Sequence, residues 1–384
     1  MFIEVFFLIH LALIPTFIRE FGLSLFQASL IATVPSITVL LSYIPAGLLV
    51  DKVGPKPVLL VSMILEGVSA LLIGQVRDYT LLVLAISMIK VSSPIYHTCG
   101  LSAISRMSDS GSTGKMLGFH NAMGSLGATI GLFSLSIFGA SLGWRFVYLF
   151  WSIPVLIWCI PILKTESTRY AIGQANTSAR RVKLMDFKSV LSFKFALLLC
   201  IVSLRDFGAT AVSTFLTTYM VQIRGLSQET ASMVYGLGPF VGILSSLVGG
   251  YLCSRIGDTK TLLYMVLGSA LFLVPISFAE GLNLLMVTYL VYSFFNNGAW
   301  SPIGSLVATL TPGSMRGVGY SVYFFAEGIV AAVQPTVTAV AIEHTDLYVI
   351  FPIAIGLLSI CTGLLGYFHY GISPSRTKRK SYQS

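Results

Sequence analysis

The sequence predicts an all-α membrane protein of twelve transmembrane helices arranged as two pseudo-symmetric six-helix bundles. Three observations carry this. The 384 residues are 55% hydrophobic and only 10% charged, far below the about 25% that covers a soluble surface. Apolar runs near the 20 residues needed to cross a hydrocarbon core recur twelve times along the chain. The stretch from Gly47 to Pro57 also returns 203 residues later, where Gly47 falls on Gly250, Leu49 on Leu252, Lys52 on Arg255 and Gly54 on Gly257. A loop repeated at half the chain length points to two similar halves.

The predicted spans are 1–18, 25–50, 58–76, 80–104, 115–142, 145–163, 193–222, 229–252, 261–279, 283–310, 315–342 and 347–372. Residues 1–163 then form the N-terminal bundle, 164–192 a basic cytoplasmic linker, and 193–384 the C-terminal bundle with its basic tail. Span 1 begins abruptly, with Glu4 in its first turn and no basic flank, so a short or misplaced start is expected. No small-residue cleavage site follows the first apolar run, so no cleavable signal peptide is expected. Pro35 and Pro45 inside span 2 allow bends that a membrane helix tolerates. Gly124, Gly127 and Gly131 in span 5 recur at three- and four-residue spacing and let a neighbouring helix approach closely. Trp144, Tyr148 and Trp151 open span 6 as interfacial anchors.

The net charge of +9 invites a nucleic-acid reading, but its placement excludes one. Under this span count eighteen of the 24 Lys and Arg lie on one side of the bilayer, four (Arg19, Arg77, Arg145 and Arg224) on the other, and Lys90 and Arg205 within spans. That asymmetry places both termini in the cytoplasm of a multi-pass cell-membrane protein. The linker and tail need only the inner leaflet as partner. The five cysteines (Cys99, Cys159, Cys200, Cys253 and Cys361) have neither metal-ligand nor redox spacing and read as small buried hydrophobes. No metal or cofactor is expected.

Polar residues inside apolar spans are functional candidates by default. His10 lies about 14 Å from the outer end of span 1 at 1.5 Å per residue; a bond to a neighbouring helix is the alternative. Glu66 in span 3 is either bonded within the bundle or a coupling site. Lys90 and His97 in span 4 are seven residues apart and share a face. Arg205 and Asp206 in span 7 are adjacent, so their Cα–Cβ vectors diverge by about 100° and each is expected to find a partner on another helix. Asn296, Asn297 and Trp300 in span 10 offer hydrogen bonds and a stacking surface; helix–helix bonding competes. Glu327 and Gln334 lie in span 11.

The loop Gly47-x-x-x-Asp51-Lys52-x-Gly54-x-Lys56 between spans 2 and 3 resembles the signature loop of the major facilitator superfamily. Ser254 stands in place of the acid in the second copy. Tyr96-His97 and the run from Gly118 to Gly127 are similar to the branch containing the fosmidomycin-resistance efflux proteins, with Thr98 where that branch has proline. The resemblance implies that Gly47, Asp51, Lys52, Gly54, Lys56, Arg255 and Gly257 form a cytoplasmic gate, with Asp51 facing the start of span 11 near Gly317. It implies that spans 1, 4, 7 and 10 surround a central cavity, which would collect His10, Lys90, His97, Arg205, Asp206, Asn296, Asn297 and Trp300. Basic groups there outnumber Asp206, so an anionic or zwitterionic small organic solute is expected. Asp206, Glu327 and Glu66 are the candidate proton carriers. The expected activity is alternating-access transport by a monomer: efflux against protons first, proton-coupled uptake of an organic anion second. A transport-inactive sensor is the remaining non-enzymatic reading. Span 5 lacks the proline that accompanies glycines there in the superfamily's antiporters. No Gly-x-x-x-x-Gly-Lys-(Ser/Thr) loop is present for ATP drive, and no His-Glu-x-x-His or Gly-x-Ser-x-Gly is present for hydrolysis.

Overall fold

The computed structural model describes residues 1–107, 113–164, 191–312 and 316–371. It is helical throughout these residues. Among them ten helices are long and apolar enough to cross a membrane, and eleven when the bent pair Phe2–Ala12 and Ile14–Phe21 counts as one. The remaining expected crossing, span 10, is two consecutive helices, Leu282–Gly298 and Trp300–Leu310, interrupted at Ala299. Twelve crossings therefore stand where the sequence put them. The side chains of Gly47, Asp51 and Lys52, although on the helix Leu25–Val53, lie outside the described part.

The repeat is closer than the loop motif alone suggested. Span 2 (Leu25–Val53) and span 8 (Gln228–Ile256) are both 29 residues long and begin and end 203 residues apart. Their entries match as well. Gly22 and Gly225 both have left-handed backbone, φ 63° and 65°. Ser24 and Ser227 both cap the following helix. The Ser24 hydroxyl accepts from Gln27 N at 3.1 Å while the Gln27 side chain accepts from Ser24 N at 2.9 Å, and the Ser227 hydroxyl accepts from Thr230 N at 3.2 Å. The first arrangement is a complete capping box.

Their exits match too. Gly54 (φ 84°, ψ 165°) and Gly257 (φ 88°, ψ 156°) make the turns into span 3 (Pro55–Ile73) and span 9 (Asp258–Phe278). That region of backbone space is essentially glycine-only. A Cβ at either position would meet nothing within 4 Å, so the cost of one is conformational alone. Gly54→Ala and Gly257→Ala should each destabilise the protein by about 1–3 kcal/mol, and by similar amounts. Thermal unfolding in detergent checks this, and two silent alanines would show that the turns have other accessible shapes.

Packing follows the same symmetry. Within the N-terminal six helices, span 4 (Tyr79–Met107) lies against spans 2 and 3, and span 3 lies against span 6 (Trp144–Lys164). Within the C-terminal six, span 10 lies against spans 8 and 9, and span 9 lies against span 12 (Ile350–Gly371). The two sets meet along span 2 against span 11 (Arg316–His344), and span 5 (Thr113–Leu142) against span 8, which are equivalent seams under the repeat. Glycine lets both seams close: a Cβ on Gly236 would come within 2.9 Å of Phe133, and one on Gly328 within 2.8 Å of Leu40.

Hydrogen bonds across the seams sit at one end of the molecule among the described residues. Thr33 meets Thr336 at 2.8 Å, Phe26 N donates to Glu343 at 2.9 Å, and Ser136 donates to the Glu229 carbonyl at 2.8 Å. Span 1 adds to this closure through its own irregularity. Pro15 has no N–H, so the Leu11 carbonyl loses its helical donor and instead accepts from the Thr217 hydroxyl of span 7 (Phe193–Gln222) at 3.1 Å. The next carbonyl, Ala12, accepts from the Gln228 side chain at 2.7 Å. A 55° bend results.

Candidate functional site

A cavity of about 610 Å³ lies between the two seams, walled by spans 1, 2, 4, 5, 7, 8, 10 and 11. His10, Lys90, Arg205, Asp206, Asn296, Asn297, Trp300 and Glu327 are all on its wall. Glu66 and His97 are not among the lining residues.

On the N-terminal side the controlling feature is a second irregularity in span 1. Phe2–Phe6 is a 3₁₀ turn and helix resumes only at Ile9. The Leu11 N–H donates to the Leu8 carbonyl at 3.1 Å rather than one residue further back, which leaves the Phe7 carbonyl open. Lys90 takes it: Nζ donates to Phe7 O at 2.7 Å and lies 4.0 Å from the centre of the Phe7 ring. The ammonium thus has a neutral acceptor and a cation–π face.

About two helical turns beyond Lys90, His97 Nε2 meets Glu4 Oε1 at 2.9 Å. Tyr96 stacks on His120 of span 5, with ring centres 5.7 Å apart. His97 therefore reaches the cavity only through Glu4, which does line it. His10 is 4% exposed and its Nδ1 has no hydrogen-bond partner among the described residues. Glu66 is 1% exposed and accepts from the Ser92 hydroxyl at 2.9 Å, a bond between spans 3 and 4 behind the cavity wall.

On the C-terminal side the structure corrects the expectation for Asp206, which pairs with its own neighbour, while Arg205 also finds the expected partner on another helix, Asn296. Arg205 and Asp206 are each other's partners, at 2.5 Å. Their Cα–Cβ vectors diverge, but the long arginine side chain curls back across the gap. Its other nitrogen, Nη2, donates to the Asn296 carbonyl at 2.5 Å and to Asn296 Oδ1 at 2.8 Å. Asn296 is free to offer its carbonyl because the helix breaks three residues later, at Ala299. The guanidinium also faces Trp300, 5.6 Å from the ring centre. Asp206 has no such second support among the described residues: its Oδ2 is buried without a donor there. Asn297 turns the other way, donating to Ser293 O at 2.9 Å and to Gly238 O of span 8 at 3.3 Å, so it ties spans 8 and 10 together.

At the opposite end of the molecule, described residues of the two loop copies make contacts within their own halves. Lys56 donates to the Leu163 carbonyl at the end of span 6, at 3.0 Å. Arg255 stacks on Tyr251, 5.3 Å from the ring centre. The second loop copy lacks the acid at Ser254 but has Asp258, which accepts from Ser305 of span 10 at 2.7 Å. The expected contact of Asp51 with the start of span 11 lies outside the described residues.

Two contributors were missed from sequence. Glu4 looked like a misfit in a first turn, although an ionisable group inside an apolar run is itself a signal. The tyrosines on the wall, Tyr43, Tyr235, Tyr289 and Tyr292, gave none, because tyrosine is ordinary in membrane helices.

Comparison with known proteins agrees with this architecture. The profile of the Major Facilitator Superfamily matches residues 2–335 and, in a second overlapping match, 201–382. The chain is 21% identical over 357 residues to the fosmidomycin resistance protein of Escherichia coli K12, covering 91% of this chain and 87% of that one. It is 26% identical over 264 residues to the probable nitrate/nitrite antiporter NarK1 of Thermus thermophilus, covering 65% of this chain and 58% of the relative's length. Among solved structures it is similar to a variant of the nucleoside transporter NupG, with a TM-score of 0.77 at 14% identity over 96% of this chain and 98% of that one. A bacterial homologue of the human lysosomal transporter Spinster, in an inward-facing and occupied conformation, gives 0.75 at 12% identity over 96% and 93%. Fold, repeat and profile agree: the chain belongs to the Major Facilitator Superfamily.

Proposed function

We propose that this chain is a secondary active transporter that moves a small organic solute by alternating access and exports it in exchange for protons. The observation that carries the reading is the convergence of ionisable side chains from spans 1, 4, 7 and 11 on one cavity between the two halves. Charges inside a bilayer are costly and persist where they line a pathway. Membership of a transporter superfamily supports transport as the use of that cavity.

Proton coupling rests on the C-terminal wall. Two carboxylates, Asp206 and Glu327, share the cavity with one arginine, and Arg205 is committed to Asp206. A carboxylate without a cation in a low-dielectric wall is a proton site. Glu327 is therefore the first candidate carrier and Asp206 the second, while Glu66 is held by Ser92 off the pathway. With the termini in the cytoplasm, the hydrogen-bonded end is external and the described conformation is closed outward. The cell membrane is the expected location, and a monomer suffices because the cavity is complete in one chain.

Uptake of an organic anion is the second reading. Lys90 favours it, since that ammonium faces the cavity without a carboxylate partner, and the cargo in the name of the NarK1 relative is anionic.

The test has two stages. Purified protein is screened by thermal stability against organic anions, zwitterions and cations; a ligand at 100 times its Kd adds about 2.7 kcal/mol. A labelled hit is then followed in proteoliposomes under an imposed pH gradient. Gradient-driven flux is expected in the wild type and lost in Glu327→Gln. Flux that ignores the gradient in the wild type contradicts proton coupling, and the direction of gradient that drives accumulation separates export from uptake.

A further inference from the structure

Among the described residues, the charged groups of the cavity divide by whether they sit in an ion pair. Glu4 has His97, and Arg205 has Asp206 and Asn296. Lys90 and Glu327 form no ion pair among the described residues. Lys90 rests on a neutral carbonyl and a ring. These two groups have opposite charge, face the same cavity, and belong to different halves, span 4 and span 11. Arg205, which the sequence suggested as a second anion receptor, is already neutralised.

We propose that Lys90 and Glu327 are the two poles of one binding site, and that the transported solute is a zwitterion whose anionic end takes Lys90 and whose ammonium takes Glu327. The proposal rests on the transporter reading above. A simple anion would satisfy Lys90 and leave the Glu327 carboxylate without a counter-charge, and a simple cation would do the reverse. A bipolar solute satisfies both, and each contact replaces a weaker one by a charge-assisted bond. The exposed face of Trp300 (41% exposed) lies on the same wall and gives the body of the solute an apolar surface.

The arrangement also supplies the exchange. Glu327 accepts either a proton or the solute's ammonium, and the arrival of one requires the departure of the other. The two loaded states differ by one charge, because a proton adds one positive charge to the site whereas a zwitterion adds none, so exchange of one proton for one zwitterion moves one net charge. Because the poles sit on opposite halves, a solute that spans them draws those halves together around it.

The experiment uses full-length protein in detergent and three matched probes: 5-aminopentanoate, pentanoate and pentylamine. The set is repeated with 4-(aminomethyl)benzoate and its two single-charge analogues. Thermal stability is titrated for wild type, Lys90→Gln and Glu327→Gln, each first shown to be monodisperse. The expected result is that an amino carboxylate stabilises the wild type at concentrations about 10-fold or more below either single-charge analogue. Glu327→Gln should erase its advantage over the carboxylate, and Lys90→Gln its advantage over the amine. Equal response to amino carboxylate and carboxylate overturns the proposal, as does an advantage that survives Glu327→Gln, or no response to any amino carboxylate. Flux separates the two claims. Proton-driven movement of pentanoate without zwitterion preference keeps the exchanger and rejects the bipolar site, whereas zwitterion binding without any flux keeps the site and rejects the exchanger.

Discussion

Replacing Arg205 by leucine should destabilise the protein by about 3–5 kcal/mol, and replacing Asp206 by asparagine should cost clearly less. Arg205 is 3% exposed and Asp206 6%, so neither can turn to bulk water when its partner is lost. The asymmetry follows from what each retains. Without Asp206, the guanidinium keeps both oxygens of Asn296, at 2.5 and 2.8 Å, and the face of Trp300. Without Arg205, Asp206 keeps nothing: one oxygen loses its bond and the other has no donor already. The double variant Arg205→Leu/Asp206→Asn should be more stable than Arg205→Leu alone, because it removes the orphaned charge as well. Thermal unfolding of the four proteins in detergent measures the cycle. Equal losses from the two single variants would mean that Asn296 contributes little to holding the arginine.

The second large effect is expected in span 5. Gly127 and Gly131 are covered by the backbone of span 1: a Cβ on Gly127 would fall 2.2 Å from Met1 O, and one on Gly131 would fall 2.0 Å from Val5 O. A side chain could rotate away from such an overlap, whereas a backbone carbonyl can give only by moving the segment. Gly131→Ala should therefore cost about 1–3 kcal/mol or more and displace the segment that carries Glu4 and Phe7. Because Phe7 holds Lys90, ligand binding should weaken along with stability. Gly356→Ala and Gly363→Ala are the matched controls, since a Cβ at either meets nothing within 4 Å. They should change stability by less than about 1 kcal/mol, the scale of helix propensity. If Gly131→Ala behaves like the controls, span 1 does not pack on span 5 as described.

The sequence was informative where the physics is one-dimensional. Hydropathy counts crossings because the bilayer core demands about 20 apolar residues whichever face they present. The repeated loop announced two halves because its glycines serve a backbone need that is the same in each. The spacing of Gly124, Gly127 and Gly131 foretold a close helix contact, although not that the partner would be span 1. Much of the cavity was also legible, because His10, Lys90, Arg205, Asp206, Asn296 and Glu327 are conspicuous in an apolar background.

What stayed hidden depends on side-chain reach and on helix breaks. No rule of helical projection foresees that Arg205 bends back to its neighbour. The break at Pro15 has a proline as its cause, although only Pro35 and Pro45 were singled out from sequence, and those at Phe7 and Ala299 have no proline at the break. Those two breaks free the carbonyls that fix Lys90 and Arg205, so the least legible backbone features set the geometry of the best-marked side chains.

Alternating access between the two halves is the claim on which every functional statement depends, and it can be measured without knowing the solute. Gln75 and Thr345 are exposed in the turns after spans 3 and 11, on opposite halves at the hydrogen-bonded end. With the five native cysteines replaced, spin labels at these two positions report that end by electron double resonance. The account predicts a short distance matching the described conformation together with a longer, open population, whose share changes between acidic and alkaline buffer and stops changing in Glu327→Gln. A single short distance, unmoved by pH or by any ligand that stabilises the protein, would contradict it.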